Sequence, residues 1–193
     1  MITVGILLFN EVEVLDFSGP FEVLSLVEEN NQKVFNVITI GEENKLLSAR
    51  NGLKVHADYQ FENHPELDIL IIPGGYGAEQ IEVKNKPLLN WIKKQSKNVQ
   101  ILASVCTGAL LLAECGLLDN KKATTHWMDL DRLENEYPKV NVVRGVKYVD
   151  SKEIITSAGI SAGIDMSFHI VKKLLSSEAV SYTHLTLPTI CSV

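Results

Sequence analysis

Cys106 stands where a nucleophile could act. It lies in Ser104-Val105-Cys106-Thr107-Gly108, between an apolar run at 100–104 and a helical pattern at 108–114. A sharp turn from a buried strand into a helix projects a side chain into a cleft, and Gly108 would let the backbone turn. The positive end of the helix favours a thiolate, so we expect the pKa of Cys106 to be lowered. Packing as a small buried hydrophobe is the alternative, which we favour for Cys115.

A carboxyl group and two glycines follow other apolar runs. Asp16 lies after the first run, at the start of a helical pattern, and we expect it to manage protons beside the sulfur. Capping that helix is its alternative role. Gly74 and Gly75 follow the run at 69–72, where their bare amides, with the amide of Thr107, are expected to bind developing negative charge.

The scaffold for these residues is predicted by alternating patterns. Short, branched apolar runs typical of strands buried on both faces occupy 2–9, 34–40, 69–72, 100–104 and 154–156. Helical patterns occupy 17–29, 87–95, 108–114, 129–136 and 164–175. Strand alternating with helix predicts an α/β fold with a mostly parallel, doubly wound sheet. An Asn51-Gly52 pair within 46–55 predicts a small antiparallel hairpin at the edge of that sheet.

Composition narrows the class of protein. The 193 residues are 46% hydrophobic and 22% charged, which is ordinary for a globular domain. Lys and Arg number 18 against 24 Asp and Glu, a formal charge of −6 without a basic stripe, so neither nucleic acid nor a membrane surface is an expected partner. Three widely spaced cysteines form no zinc ligand set or CxxC pair. We expect no metal site, no export signal and a cytoplasmic location.

The chain is predicted to form one domain at 1–179 followed by an atypical tail at 180–193. No repeat and no Pro-, Gly- or Ser-rich linker divides the first part. The tail continues neither the helical period nor a strand, and Pro188 discourages both. It is interpreted as a frayed terminus or as a segment not native to the domain.

Five motifs together resemble the DJ-1/PfpI superfamily, and its isonitrile hydratase-like branch in particular. The resemblance runs from residue 1 to about 179 and implies a flavodoxin-like three-layer α/β/α sandwich. The same branch includes the ligand-binding halves of AraC-type regulators. The motifs are Leu15-Asp16-Phe17-Ser18-Gly19-Pro20-Phe21-Glu22-Val23, Ile72-Pro73-Gly74-Gly75, Ser104-Val105-Cys106-Thr107-Gly108-Ala109, Ala123-Thr124-Thr125-His126-Trp127 and Ser157-Ala158-Gly159-Ile160-Ser161-Ala162-Gly163-Ile164-Asp165.

The resemblance implies a role for each residue that matches. Cys106 would be the nucleophile, Asp16 the acid–base group and Thr107 a supporting hydroxyl. Protease-like members place a histidine directly after the cysteine, where this chain has Thr107, so peptidase activity is not expected. His126 is a candidate substrate contact, although a structural role is favoured, and Asp165 either contacts substrate or caps the last helix. The resemblance also implies a homodimer and no cofactor.

Four functions fit these expectations. The first is a cofactor-free hydratase in which Cys106 adds to an isonitrile and water releases an N-substituted formamide. The second keeps the nucleophile but converts methylglyoxal to lactate through a hemithioacetal. The third is a small-molecule sensor like the regulator halves, and the fourth is a redox or protective role for Cys106. In each case the expected partner is a small molecule, electrophilic in the first two.

Overall fold

The computed structural model describes residues 1–175, so the predicted tail and the boundary at 179 lie outside the described residues. The helices are α1 (Val14–Ser25), α2 (Lys86–Gln95), α3 (Gly108–Glu114), α4 (Leu130–Glu136) and α5 (Ser161–Leu174). The strands are β1 (Ile2–Leu7), β2 (Glu28–Glu29), β3 (Gln32–Lys33), β4 (Phe35–Gly41), β5 (Leu46–Ser48), β6 (Lys54–His56), β7 (Tyr59–Gln60), β8 (Ile69–Ile72), β9 (Ile101–Val105), β10 (Lys122–Ala123), β11 (Asn141–Val142), β12 (Tyr148–Ser151) and β13 (Ile154–Ser157).

A seven-stranded sheet forms the centre of the molecule, in the order β12-β13-β9-β8-β1-β4-β7. Every neighbouring pair is parallel except β12 with β13, which is antiparallel. All five predicted strands belong to this sheet, and the predicted mostly parallel α/β fold is confirmed. The two edge strands, β7 and β12, were not predicted.

Hydrophobic side chains cover both faces of the sheet, which makes three layers. Along β8, Leu70 and Ile72 belong to a core shared with α2 and α3, whereas Ile69 and Ile71 belong to a second core shared with α1 and α5. This alternation explains why the strand is a continuous apolar run, since each residue faces one core or the other. Across residues 1–175, no helix combines the length and apolar character that a bilayer crossing requires.

Two predicted elements differ in detail from the structure. Helix α1 begins at Val14 and ends at Ser25, and residues 28–29 instead pair with 32–33 as a short antiparallel ladder. The predicted hairpin is confirmed, with positive φ at Asn51 (61°) and Gly52 (89°). It forms a separate two-stranded sheet and does not extend the edge of the large one.

Gly108 is required by close packing and not by an unusual φ. The positive φ of the strand-to-helix turn belongs to Cys106, at 56°. A Cβ at Gly108 would overlap the carbonyl oxygen of Ile72 and lie 2.8 Å from that of Pro73. The absent side chain therefore lets helix α3 start directly against the end of β8.

Candidate functional site

Four adjacent strands bring the predicted site residues to one edge of the sheet. The strands β13, β9, β8 and β1 are parallel neighbours, so their carboxyl ends meet. Cys106 follows β9, Gly74 follows β8, Ile160 follows β13 and Asp16 lies in α1 after β1. Open α/β sheets bind ligands at this edge.

The backbone of Cys106 is fixed by two hydrogen bonds, one to the end of β13 and one from the segment that follows β10. Its amide donates to the Ser157 carbonyl at 3.1 Å, and the buried Thr125 hydroxyl donates to its carbonyl oxygen at 2.7 Å. Gly159 packs against the side chain, since an added Cβ there would lie 3.1 Å from the sulfur. Cys106 is only 7% exposed, and its positive φ is uncommon for a residue with a Cβ. The hydrogen bonds fix the backbone of the turn, and the packing of Gly159 restricts the position of the thiol.

Asp16 is fully buried and is held by two main-chain donors. The Gly74 amide donates to its Oδ2 at 3.1 Å, and the Ile160 amide donates to its Oδ1 at 3.0 Å. Ile160 has φ 45°, a conformation unfavourable for a β-branched residue, so the turn is strained where it holds the carboxyl. Asp16 is not the helix cap, because Glu13 occupies that position; the capping alternative is wrong.

The carboxyl of Asp16 is poised to accept a proton near neutral pH. Burial raises its pKa to about 6, although the hydrogen bonds from Ile160 and Gly74 and one from the Cys106 thiol oppose this. The group is therefore mostly ionised at pH 7 while remaining a competent base. The thiol keeps its proton at neutral pH, and its interaction with the Asp16 carboxylate favours the ionised form of that carboxyl.

The expected lowering of the Cys106 pKa is a wrong prediction. Burial raises the pKa of the thiol well above its ordinary range, and the charge of Asp16 raises it further, as do Asp129 and Glu79. The hydrogen bond from the Thr107 amide opposes the rise but does not reverse it. The protonated thiol is therefore the favoured form of Cys106 in this site, and not a preformed thiolate.

The shifted pKa of Asp16 predicts a pH-dependent stability. Because the folded state binds this proton more tightly than the unfolded chain, ionisation weakens folding as pH rises from 3.8 through about 6. Asp16→Asn removes that dependence. Between about pH 4 and pH 7, the parent should therefore lose about 2 kcal/mol of unfolding free energy that the variant does not lose. Urea titrations of both proteins measure it, and a difference independent of pH would contradict the assigned burial.

The two glycine amides have partners within the chain. The Gly74 amide binds Asp16, and the Gly75 amide donates to the Thr107 hydroxyl at 2.9 Å. That hydroxyl in turn donates to the Gly75 carbonyl at 3.3 Å. The expected oxyanion role of these amides and the catalytic role of the Thr107 hydroxyl stay predictions. What the contacts do is bind the loop at 73–77 to the cysteine turn.

His126 and Asp165 have different surroundings. His126 directly follows Thr125, whose hydroxyl donates a hydrogen bond to the Cys106 carbonyl. The Nδ1 of His126 lies 3.6 Å from Asp129 Oδ2. Asp165 lies one turn inside α5, so it is not the cap, and it pairs with Lys147 at 3.0 Å. Among residues 1–175, no recorded hydrogen bond or ion pair joins it to Cys106 or Asp16.

Two acidic residues at this site were missed in the sequence. Glu79 lies in the single π-helical turn Gly77–Ile81, and Asp129 ends the short 3-10 turn Trp127–Asp129. Neither has a local sequence signal, because only the packing of two distant loops brings them near Cys106. Ile160 was also unassigned, although its place after a buried strand could have indicated it. Within the described residues, no group of three or more His, Cys, Asp or Glu side chains is placed to hold a metal ion.

Comparison with known proteins identifies relatives of this chain. The sequence profile of the DJ-1/PfpI family matches residues 2–173. Isonitrile hydratase from Pseudomonas putida is 30% identical, with 95% of this chain and 77% of that protein covered. The HTH-type transcriptional regulator CdhR from Pseudomonas aeruginosa is 28% identical over 86% of this chain, which spans about half of the regulator (48%).

A solved structure shows the same fold. A ThiJ/PfpI family protein from Pseudomonas syringae superposes with a TM-score of 0.87 at 23% identity, covering 99% of this chain and 76% of that one. The family profile spans nearly all of the described residues, including every loop that builds the cysteine site. The chain therefore belongs to the DJ-1/PfpI family.

Proposed function

We propose that the chain is a cysteine-dependent hydratase of small electrophiles, with isonitriles as its substrates. The observation that carries the proposal is the buried pair of Cys106 and Asp16, in which a thiol proton faces a carboxylate with a pKa of about 6. Such a pair suits a reaction that needs a nucleophile and repeated short proton transfers. The 30% identity to an isonitrile hydratase supports this choice of substrate.

The proposed reaction begins with covalent attack. As the Cys106 sulfur bonds to the terminal carbon of the isonitrile, its proton passes to Asp16 and from there to the same carbon. The product is a thioimidate, R–N=CH–S–Cys106. Because the carboxyl gives back the proton it received, Asp16 is ionised again for the second stage.

Water completes the cycle. Asp16 takes a proton from a water molecule as the water oxygen adds to the thioimidate carbon. Asp16 then passes this proton to the thioimidate nitrogen. The C–S bond then breaks as the hydroxyl proton passes through Asp16 to the leaving sulfur. The sum is one isonitrile and one water to one N-substituted formamide, with thiol and carboxylate restored and no cofactor consumed.

A product assay tests the proposal. Purified protein is incubated with an alkyl isonitrile or with methylglyoxal, and proton NMR follows the formyl proton of the formamide or the methyl group of lactate. We expect formamide at a rate well above that of Cys106→Ser, and no comparable lactate. Lactate alone would favour the methylglyoxal alternative. The absence of both formamide and lactate would contradict the enzymatic proposal.

A ligand sensor is the second candidate function. The similarity to CdhR favours it, although this chain spans only about half of that regulator. A sensor should bind its ligand without consuming it. Thermal stabilisation of the protein by an isonitrile that NMR recovers unchanged would therefore support the sensor over the hydratase.

Location and assembly are further proposals. Both cysteines among the described residues are free thiols, which suits the reducing cytosol. A homodimer is proposed from the resemblance to the superfamily. Sedimentation equilibrium tests it, and a monomer mass across the micromolar range would contradict it.

A further inference from the structure

We infer that the site around Cys106 selects its electrophiles by charge, admitting uncharged and cationic ones and rejecting anionic ones, with Glu79 and Asp129 as the specificity-determining residues. The inference rests on the proposed function in one respect, that Cys106 is the reacting group. It adds the class of substrate, because carboxylate-bearing electrophiles are excluded whatever their carbon skeleton.

The first segment packed against the cysteine turn leads to Glu79. The loop at 73–77 packs on the cysteine turn, since an added Cβ at Gly74 would lie 2.9 Å from the Cys106 Cβ. The π-helical turn that contains Glu79 continues directly from this loop, and the Glu79 amide donates back to the Gly75 carbonyl at 3.2 Å. The position of Glu79 is therefore tied to the loop that contacts the nucleophile.

The second segment anchored to the cysteine turn leads to Asp129. The Thr125 hydroxyl anchors this segment to the Cys106 carbonyl, and the chain turns back so that the Asp129 amide donates to the His126 carbonyl at 2.9 Å. Arg132, one turn further on, donates from Nη1 to the Glu79 carbonyl at 3.1 Å. That bond joins the two segments, and the charge of Asp129 acts on Glu79, so the two acidic residues are held near each other.

The charges around the Cys106 sulfur are unbalanced towards negative. Asp16, Glu79 and Asp129 all act on the Cys106 sulfur and all raise its pKa. The nearby cations are shared between carboxylates: Arg132 Nε lies 3.1 Å from Glu136, and Arg50 Nε lies 3.6 Å from Glu13. Burial raises the pKa of Glu79, and the charges of both arginines oppose that rise. His126 lies 3.6 Å from Asp129 and is a cation only when protonated. An incoming anion would therefore meet three carboxylates in partly buried surroundings, where screening by water and salt is weak.

Paired alkylating reagents measure this selectivity. Iodoacetamide is uncharged and iodoacetate is its anionic counterpart, and peptide mass spectrometry reads modification of Cys106 separately from the other cysteines. The ratio of the two rate constants at Cys106, divided by the same ratio for free cysteine, removes the intrinsic difference between the reagents. We expect a corrected preference for iodoacetamide of at least about tenfold.

Charge-removing variants assign the effect. Glu79→Gln and Asp129→Asn should each reduce the corrected preference about threefold, and the double variant should nearly remove it. Glu66→Gln removes one charge from an exposed residue before the opposite end of β8, and it should leave the preference intact.

Two different results separate the inference from the proposed function. If Cys106 reacts with both reagents at the ratio of free cysteine, or if neither Glu79→Gln nor Asp129→Asn changes the ratio, the charge selection is overturned while the nucleophile stands. If Cys106 reacts with neither reagent, the nucleophile itself is lost and both proposals fall.

Discussion

Cys106→Ser is expected to abolish formamide formation, lowering the rate at least about 10³-fold. A serine hydroxyl holds its proton far more tightly than a thiol, and a carboxylate with a pKa of about 6 is too weak a base to remove it. The replacement keeps a Cβ and nearly the same volume, so the positive φ at this residue should be tolerated equally. Initial rates by NMR measure the loss, and urea unfolding verifies that the fold is retained.

Cys115→Ser provides the matched control. Cys115 is also buried, but its thiol donates to the Leu89 carbonyl at 3.4 Å, in the core between α2 and α3. Its replacement should leave the rate per folded molecule within about twofold. A Cys106→Ser variant that keeps a tenth of the parent rate would show that another group forms the covalent bond.

Asp16→Asn is expected to lower kcat by about 10²- to 10⁴-fold. The amide still accepts one of the two main-chain hydrogen bonds, but it takes no proton from the thiol. In the parent, kcat/KM should rise with pH through about 6, as the carboxyl ionises, and then level off. The variant should lack that rise, because the group responsible is gone.

Asp16→Glu tests whether the carboxyl itself is required. It restores an ionisable group on a longer side chain in a fully buried position, so it should recover part of the lost rate and retain a pH-dependent rise. Steady-state kinetics across pH measure both variants. An unaltered pH profile in the asparagine variant would remove Asp16 from the mechanism.

The fold was largely predictable because its central strands are buried on both faces. Ile69–Ile72 must satisfy a core on each side, so every position is apolar and the strand is evident. The edge strands lack this requirement. Tyr59–Gln60 has two residues, and Tyr148–Ser151 contains Asp150, whose carboxylate pairs with Lys173 outside the sheet.

The site was predictable in position but not in its electrostatics. Parallel strand ends meet at one edge, so Cys106, Asp16 and Gly74 could be placed together from the sequence. The direction of the thiol pKa could not, since it depends on burial and on acidic side chains from separate loops. Helix α3 has only seven residues, and its positive end is outweighed by that burial and by the three carboxylates.

The central claim is that Asp16 removes the proton of Cys106 as the sulfur attacks. Its most direct test is the rate constant for alkylation of Cys106 by iodoacetamide as a function of pH, in the parent and in Asp16→Asn. We expect the parent rate to rise through about pH 6, following the carboxyl, and the variant to show no rise there. Two superimposable profiles with a single rise near about pH 8.5, where an ordinary thiol ionises, would contradict it.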